Sequence, residues 1–228
     1  EFVTSFKNSF KRKIQELKKK HKKRTNSKEP IIIVGKDCPR KDIWRHKYID
    51  NYKATRDYSN FHGKPFFKMA YDTLFKESGK QETLYHPYLE ADDCIYLASK
   101  KHMEVEPHIK CFIIASDHDY LQLISDKVKL YDLKYKDVST SKTAYDDAAK
   151  NLFCKIVLGD KSDNISQIFK NKKVGIKTVE KYYDDKELFS KALDNCEGAK
   201  EAYKLNSQLI DMSMIPDDLQ YSFYRNYN

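Results

Sequence analysis

An α/β fold, with a mostly parallel sheet flanked by helices, is predicted by three observations on this sequence. Short, wholly apolar runs of strand length recur along the first two thirds of the chain. Amphipathic helical patterns lie between them, and from about Asp160 onward the pattern is helical to the end. Strands that alternate with helices imply crossover connections, hence parallel pairing with helices covering the sheet.

The elements follow in order. Phe6, Phe10, Ile14 and Leu17 share one helical face, so residues 3–23 should form an amphipathic helix. Its Lys and Arg run, Lys11 through Arg24, reads as a solvated outer face. Ile31-Ile32-Ile33-Val34 is β-branched and apolar throughout, the pattern of a strand buried on both sides. Cys111 to Ser116 is a second strand and Val128-Lys129-Leu130-Tyr131 a third, with helices expected near 64–78 and 91–103. A boundary falls at about Asp160, dividing residues 1–159 from residues 160–228. There is no internal repeat.

Composition narrows the class. At 228 residues the chain can bury an ordinary core. Five scattered cysteines without a C-x-x-C pair fit reduced thiols rather than disulfides or a zinc site. No apolar run is long enough to span a bilayer, so a soluble protein is expected. The chain opens with Glu1, as expected of a fragment or processed form, and any targeting segment upstream is out of view. Its charge of +9, from 43 basic and 34 acidic residues, is a mild sign of a polyanionic partner.

In so basic a chain the acidic residues of interest sit at the ends of the apolar elements. Asp37 follows the first strand, and Glu90-Ala91-Asp92-Asp93 opens a helix. Asp117 and Asp119 follow the strand ending at Ser116, two apart, so they point the same way on extended chain; Asp160 and Asp163 share a face if their stretch is helical. Singly, each has a plainer reading: helix capping for Glu90, Asp92 and Asp93, turn formation for Asp117 and Asp119, a surface ion pair for Asp160 and Asp163. Their joint occurrence favours another. Ligands in parallel α/β sheets gather at the carboxyl ends of strands, and carboxylates crowded there raise one another's pKa unless a cation neutralises them. An all-oxygen set suits Mg²⁺ or Mn²⁺.

Three stretches then identify a resemblance. Tyr88-Leu89-Glu90-Ala91-Asp92-Asp93-Cys94-Ile95, Ala115-Ser116-Asp117-His118-Asp119-Tyr120-Leu121-Gln122-Leu123 and Leu158-Gly159-Asp160-Lys161-Ser162-Asp163-Asn164-Ile165 resemble, in order and spacing, motifs of the 5′-nuclease family, in the bacterial and phage branch that includes the 5′-nuclease domain of DNA polymerase I. Asp37, Trp44-Arg45, Tyr52-Lys53 and Arg56 resemble its second-strand aspartate with the [FW]-R and Y-K-x-x-R signature. Lys173-Val174-Gly175-Ile176-Lys177-Thr178 resembles the hairpin of its helix-hairpin-helix element, although the family's G-[IV]-G is here Lys173-Val174-Gly175, and about three extra residues precede it.

The resemblance implies a PIN-like catalytic domain over 1–159, with a helical gateway at about 57–88 for a single-stranded 5′ end. Residues 160–228 would be a helix-hairpin-helix (helix-three-turn-helix) region that binds duplex DNA. It implies two Mg²⁺ or Mn²⁺ ions, one on Asp37, Glu90 and Asp92, the other on Asp117, Asp119, Asp160 and Asp163, with Asp93 behind them. Lys53 and Arg56 would contact the scissile phosphate. Arg45, Lys173, Val174, Gly175, Lys177 and Thr178 would bind DNA, with a K⁺ ion at the hairpin. The family's first strand, ending in a further metal-binding aspartate, has no counterpart before Glu1.

The implied activity is 5′-3′ exonuclease and flap-endonuclease cleavage by two-metal in-line displacement, leaving a 5′-phosphate and a 3′-hydroxyl, in DNA replication or repair. A monomer acting on DNA with a 5′ flap or single-stranded 5′ end is expected, away from membranes, in a reducing, DNA-containing compartment such as a nucleoid or, after loss of a targeting segment, an organelle. The rivals are a catalytically impaired binder of flaps or junctions, a Mg²⁺ phosphohydrolase of small esters, and a related nuclease acting on RNA.

Overall fold

The computed structural model describes residues 1–26, 30–57 and 59–227; Tyr58, within the expected gateway, lies outside them. The apolar runs form short parallel strands. After a long helix, α1 (Phe2–Thr25), comes β1 (Ile32–Gly35), which pairs in parallel with β2 (Lys80–Leu84). Further on, β3 (Cys111–Ile114) pairs in parallel with β4 (Val128–Tyr131). The sheet is therefore parallel as expected, but among the described residues it consists of two pairs that share no ladder bonds.

β2 has no counterpart in the sequence reading, because Lys-Gln-Glu-Thr-Leu carries only one fully buried position, Leu84, and so lacks an apolar run. β1 departs from expectation too. Its four residues are half-buried rather than enclosed, and Ile31 precedes the strand at 73% exposure. One face of β1 is covered by α4 (Ala91–Val105), whose Ile95 lies so close to Gly35 that a Cβ there would crowd it. The other side meets helices that bury little beyond Ala70 and Leu74.

Those helices are α1 and the segment between β1 and β2. Phe6 and Phe10 of α1 pack edge to face on Phe66 and Phe75, while its far end reaches the β3–β4 pair, where His21 Nδ1 lies 2.8 Å from the Tyr135 hydroxyl. No residue of α1 is buried, as the solvated-face reading of its Lys and Arg run requires. Between the β1 and β2 strands, α2 (Lys64–Met69) passes through a wider π turn (Ala70–Leu74) into α3 (Phe75–Glu77). Turns of this kind recur at functional sites; here Tyr71 in the turn donates to the Gly35 carbonyl at 3.1 Å, next to Asp37.

Helices α5 (Ala148–Leu158), α6 (Ile176–Asp184), α7 (Lys186–Asp194) and α8 (Ala199–Ile210) build a second layer around Cys154, Val157, Ile168, Val179 and Ala199. α5 joins this layer although it precedes Asp160. The last helix, α9 (Asp217–Asn226), returns to the α/β layer, where Leu219, Phe223 and Tyr227 pack with Trp44, Leu84, Leu89, Cys94 and Leu97. The chain thus crosses the expected boundary twice. The cysteines are unpaired, with Cys38, Cys94 and Cys154 buried. No helix among the described residues is long and apolar enough to cross a membrane.

Because α9 completes the core under α4, Phe223→Ala should lower stability by about 3–5 kcal/mol, measured by urea unfolding of the whole chain. A loss below about 1 kcal/mol would mean that α9 is a loosely held appendage.

Candidate metal centre

Each acidic motif folds into a turn that aims its carboxylates. Asp117 closes the end of β3: its Oδ1 accepts the Asp119 backbone N–H at 2.9 Å and starts a 3-10 turn over His118–Leu123. Gln122 anchors that turn, donating to the Ile210 carbonyl and accepting from the Met212 backbone N–H. At the end of α5, Gly159 takes φ 73°, and a Cβ there would collide with the backbone of Ile165 and Ser166. Asp160 then caps a second 3-10 turn, accepting from the Ser162 N–H and hydroxyl. Asn164 follows with φ 62°, a left-handed conformation that asparagine adopts readily, and donates to the Asn51 carbonyl. In these terms the G-D-x-S-D-N pattern is a loop closed by reciprocal bonds between Asp160 and Ile165.

The turns bring together two groups of carboxylates. Glu90, Asp92 and Asp93 have oxygens within 4.8 Å of one another, and so do Asp119, Asp160 and Asp163. A shared hydroxyl links the groups: Tyr52 Oη lies 3.0 Å from both Glu90 Oε2 and Asp163 Oδ2. Lys53 adds a second link, paired with Glu90 and 3.6 Å from Asp163 Oδ2. Asp37 and Asp117 stand outside both close groups. Asp37 accepts the Ala91 N–H at the mouth of α4, and both it and Asp117 act with Asp92 on the Tyr120 phenol, whose pKa rises through burial first and then these charges. The expected division therefore differs in detail: Asp163 lies between the groups as much as in one of them.

Four cations answer these anions. Arg45 grips Asp93 through both terminal nitrogens at 2.8 Å and reaches Glu90 at 3.0 Å. Arg56 pairs with Asp163 at 2.5 Å. Lys155, on α5, contacts Asp119 and lies 2.8 Å from Asp160. Lys53 itself sits at φ 55° with its N–H bonded to the Asp163 carbonyl, and Arg40 braces this turn by donating to the carbonyls of Lys53 and Arg56.

One expectation needs correction. Arg45 is 3% exposed, with its Nε donating to the Leu209 carbonyl; it is an interior counter-ion, out of reach of DNA. Asp93 is fully buried and its oxygens accept from Trp44, Arg45 and the Glu90 N–H. It anchors Arg45 and caps α4, leaving Glu90 and Asp92 as the donors facing the cleft. The sequence reading passed over Tyr52 as a bridging group, as well as Tyr120, Arg40 and Lys155. Tyr52 adjoins Lys53 and was within reach, whereas Lys155 is one of two lysines on α5 with nothing in its spacing to single it out.

Electrostatics follow from this uneven pairing. Burial, then the charges of Asp93 and Glu90, push the Asp92 carboxyl up to about 8 against the pull of Arg45 and Lys53. Burial also pushes Asp160 up, but the charge and hydrogen bond of Lys155, aided by Ser162, outweigh it and hold Asp160 at about 2. Among the described residues the close groups contain only carboxylates, a donor set that suits a hard divalent cation. Crowded and partly desolvated as they are, they fit such an ion.

The hairpin residues stand apart from the acidic groups. Val174 is buried in the α5–α6 layer, while Gly175 caps α6 with open space where a Cβ would go. Lys173 and Lys177 are exposed and Thr178 is half-buried, with the Thr178 N–H bonded to the Gly175 carbonyl.

A layered α/β domain that collects carboxylates beyond its parallel strands, with cationic side chains at their edge, defines the class: a cation-dependent phosphoester hydrolase. Residues 4–156 match the family described as 5′-3′ exonuclease, N-terminal resolvase-like domain, and the chain belongs to that family. Among curated proteins it is similar to the ribonuclease H of Enterobacteria phage T4, 27% identical over 222 residues, covering 86% of this chain and 69% of that protein. Its fold is similar to that of the phage T5 D15 protein crystallised with metal ions, with TM-score 0.69, 19% identity and coverage of 99% of this chain and 92% of that one. A T5 D15 flap endonuclease in a complex with DNA and metal ions matches with TM-score 0.67, 18% identity and coverage of 97% and 89%.

The raised pKa of Asp92 has a consequence for stability. A carboxyl whose folded-state pKa lies near 8 binds its proton more tightly when folded, so its contribution is fully present below about pH 4 and is lost as pH rises towards 8. Without divalent cations, Asp92→Asn should therefore gain on the wild type between pH 5 and pH 8 by at least about 1.4 kcal/mol, the worth of one pKa unit. Urea unfolding in chelator at both pH values checks this; a constant difference between the two proteins would exclude it.

Proposed function

We propose that this chain is a structure-specific 5′-nuclease that hydrolyses DNA phosphodiesters near the junction of a 5′ flap or single-stranded 5′ end with duplex, using two divalent cations, Mg²⁺ or Mn²⁺. The observation that carries this reading is the joining of the two carboxylate groups by Tyr52 and Lys53, with Arg56 beside them. Cation-binding oxygens and phosphate-binding cations thus share one cleft, as phosphodiester hydrolysis requires.

In this reading Glu90 and Asp92, with Asp37 at the rim, hold one ion, and Asp119, Asp160 and Asp163, with Asp117 at the rim, hold the other. Such ions supply charge stabilisation of the phosphoryl oxygens and acidify the attacking water. Lys53 and Arg56 are drawn by the incoming phosphate from the carboxylates they now neutralise, and oppose the negative charge that develops on it. Arg40 holds their backbone in place. Asp93 and Arg45 keep Glu90 oriented from behind.

The fold neighbour bound to DNA and metal ions supports a DNA substrate, and the family match supports 5′-3′ polarity. The segment 57–88 receives the single strand. Residues 160–228, through Lys173, Val174, Gly175, Lys177 and Thr178, bind duplex phosphate, and the hairpin takes a K⁺ ion. The protein acts as a monomer in replication or repair, in a DNA-containing compartment. Because the T4 relative is named a ribonuclease H, an RNA strand paired to DNA is the second substrate to test.

A 5′-flap DNA labelled at both ends should be cut near the junction in Mg²⁺ and left intact in chelator. Asp160→Asn and Asp117→Asn should each lower the rate by at least about a hundredfold. Cleavage that survives chelator, or wild-type rates in both variants, would end the proposal; preferential cutting of a labelled RNA strand would move it to RNA.

A further inference from the structure

Among the described residues, four cations pair with the acidic groups, and Lys155 is the one of these four that the family motifs do not name. It enters from the last turn of α5, a packed helix, and its ammonium contacts Asp119 and lies 2.8 Å from Asp160 Oδ2. Those are two of the three carboxylates whose oxygens cluster within 4.8 Å. An ordinary ion pair at a helix end would only add a little stability. This one lies against two of the three donors, so it and a divalent ion held by them would oppose each other through charge repulsion and space.

We propose that Lys155 is a built-in competitor for the divalent cation at the Asp119–Asp160–Asp163 group. The inference rests on the metal-binding reading of that group. Without metal, three carboxylates sharing one partly buried place repel one another, and the ammonium neutralises them and keeps the loop after α5 in its folded position. When an ion enters, Lys155 must withdraw. Its flexible four-carbon stem allows this, and its side chain already has an outlet to solvent at 21% exposure. The same residue therefore keeps the apoprotein folded and raises the cation concentration at which this half of the site loads, so that Mg²⁺ or Mn²⁺ availability switches the site.

Mn²⁺ titration of the whole chain without DNA, followed by electron paramagnetic resonance or calorimetry, tests the competition apart from activity. Lys155→Met keeps the reach of the side chain and removes its charge. It should bind one Mn²⁺ on the order of tenfold more tightly than wild type, melt at a lower temperature in chelator and recover in saturating Mn²⁺. Lys155→Arg retains the charge and should bind Mn²⁺ no more tightly than wild type; it keeps the test open if the methionine variant does not fold without metal. Unchanged or weaker Mn²⁺ binding by Lys155→Met, or tighter binding by Lys155→Arg, overturns the proposal. Identical Mn²⁺ binding by wild type and Asp160→Asn would instead remove the metal-binding reading itself.

Discussion

The neutralisation of crowded carboxylates by interior cations is the constraint on which the rest of this structure depends. Arg45 holds Asp93 and Glu90, Lys53 spans Glu90 and Asp163, and Lys155 lies between Asp119 and Asp160. Removing one partner from the buried Arg45 pairs would leave a charge uncompensated at a cost of about 3–5 kcal/mol, so Arg45 and Asp93 depend on each other. The cations are not equivalent. Arg45 is sealed behind the cleft, whereas Lys53, Arg56 and Lys155 keep some contact with solvent.

Backbone geometry explains why those charges meet. Gly159 and Asn164, both with positive φ, reverse the chain on either side of Asp160 and Asp163, and Lys53 takes a left-handed conformation that costs a non-glycine residue about 1–3 kcal/mol. That cost is offset where it arises, by the Asp163 carbonyl bonded to its N–H and by Arg40 on its carbonyl. Strain of this sort persists only when the surroundings over-determine it, and here the surroundings are the site.

Much of this was legible in the sequence, and the limits have physical reasons. β3 and β4 were visible because mostly apolar runs of strand length stand out from their polar surroundings, whereas β2 was hidden because a polar half-exposed strand looks like loop. The carboxylates could be found since acidic residues at the ends of apolar elements are costly without a purpose. Which of two uses each served was beyond reach: Glu90 and Asp93 open α4 as a capping pair would, with the Glu90 N–H bonded to Asp93, and still belong to the acidic group. The bland and the functional readings are both true there. Arg45 shows the opposite limit, because sequence reports a charge and not the depth at which it lies. Neither could spacing mark Lys155, whose role depends on how α5 docks beside the 118–123 turn.

The second layer completes the argument about why the cleft is placed where it is. Leu209 and Ile210, at the end of α8, pack with Cys38, Ile43 and Tyr52, and the Leu209 carbonyl accepts from Arg45 while Ile210 and Met212 hold Gln122. One short stretch of chain thus ties the cation behind Glu90 to the turn that presents Asp119. α9 then runs back beneath α4 and closes a separate core around Trp44, Leu89 and Leu97. The helical remainder of the chain is accordingly part of the support of the two acidic groups: with those carbonyl and N–H contacts loosened, Arg45 would lose one of its fixed partners and the Asp117–Asp119 turn its anchor.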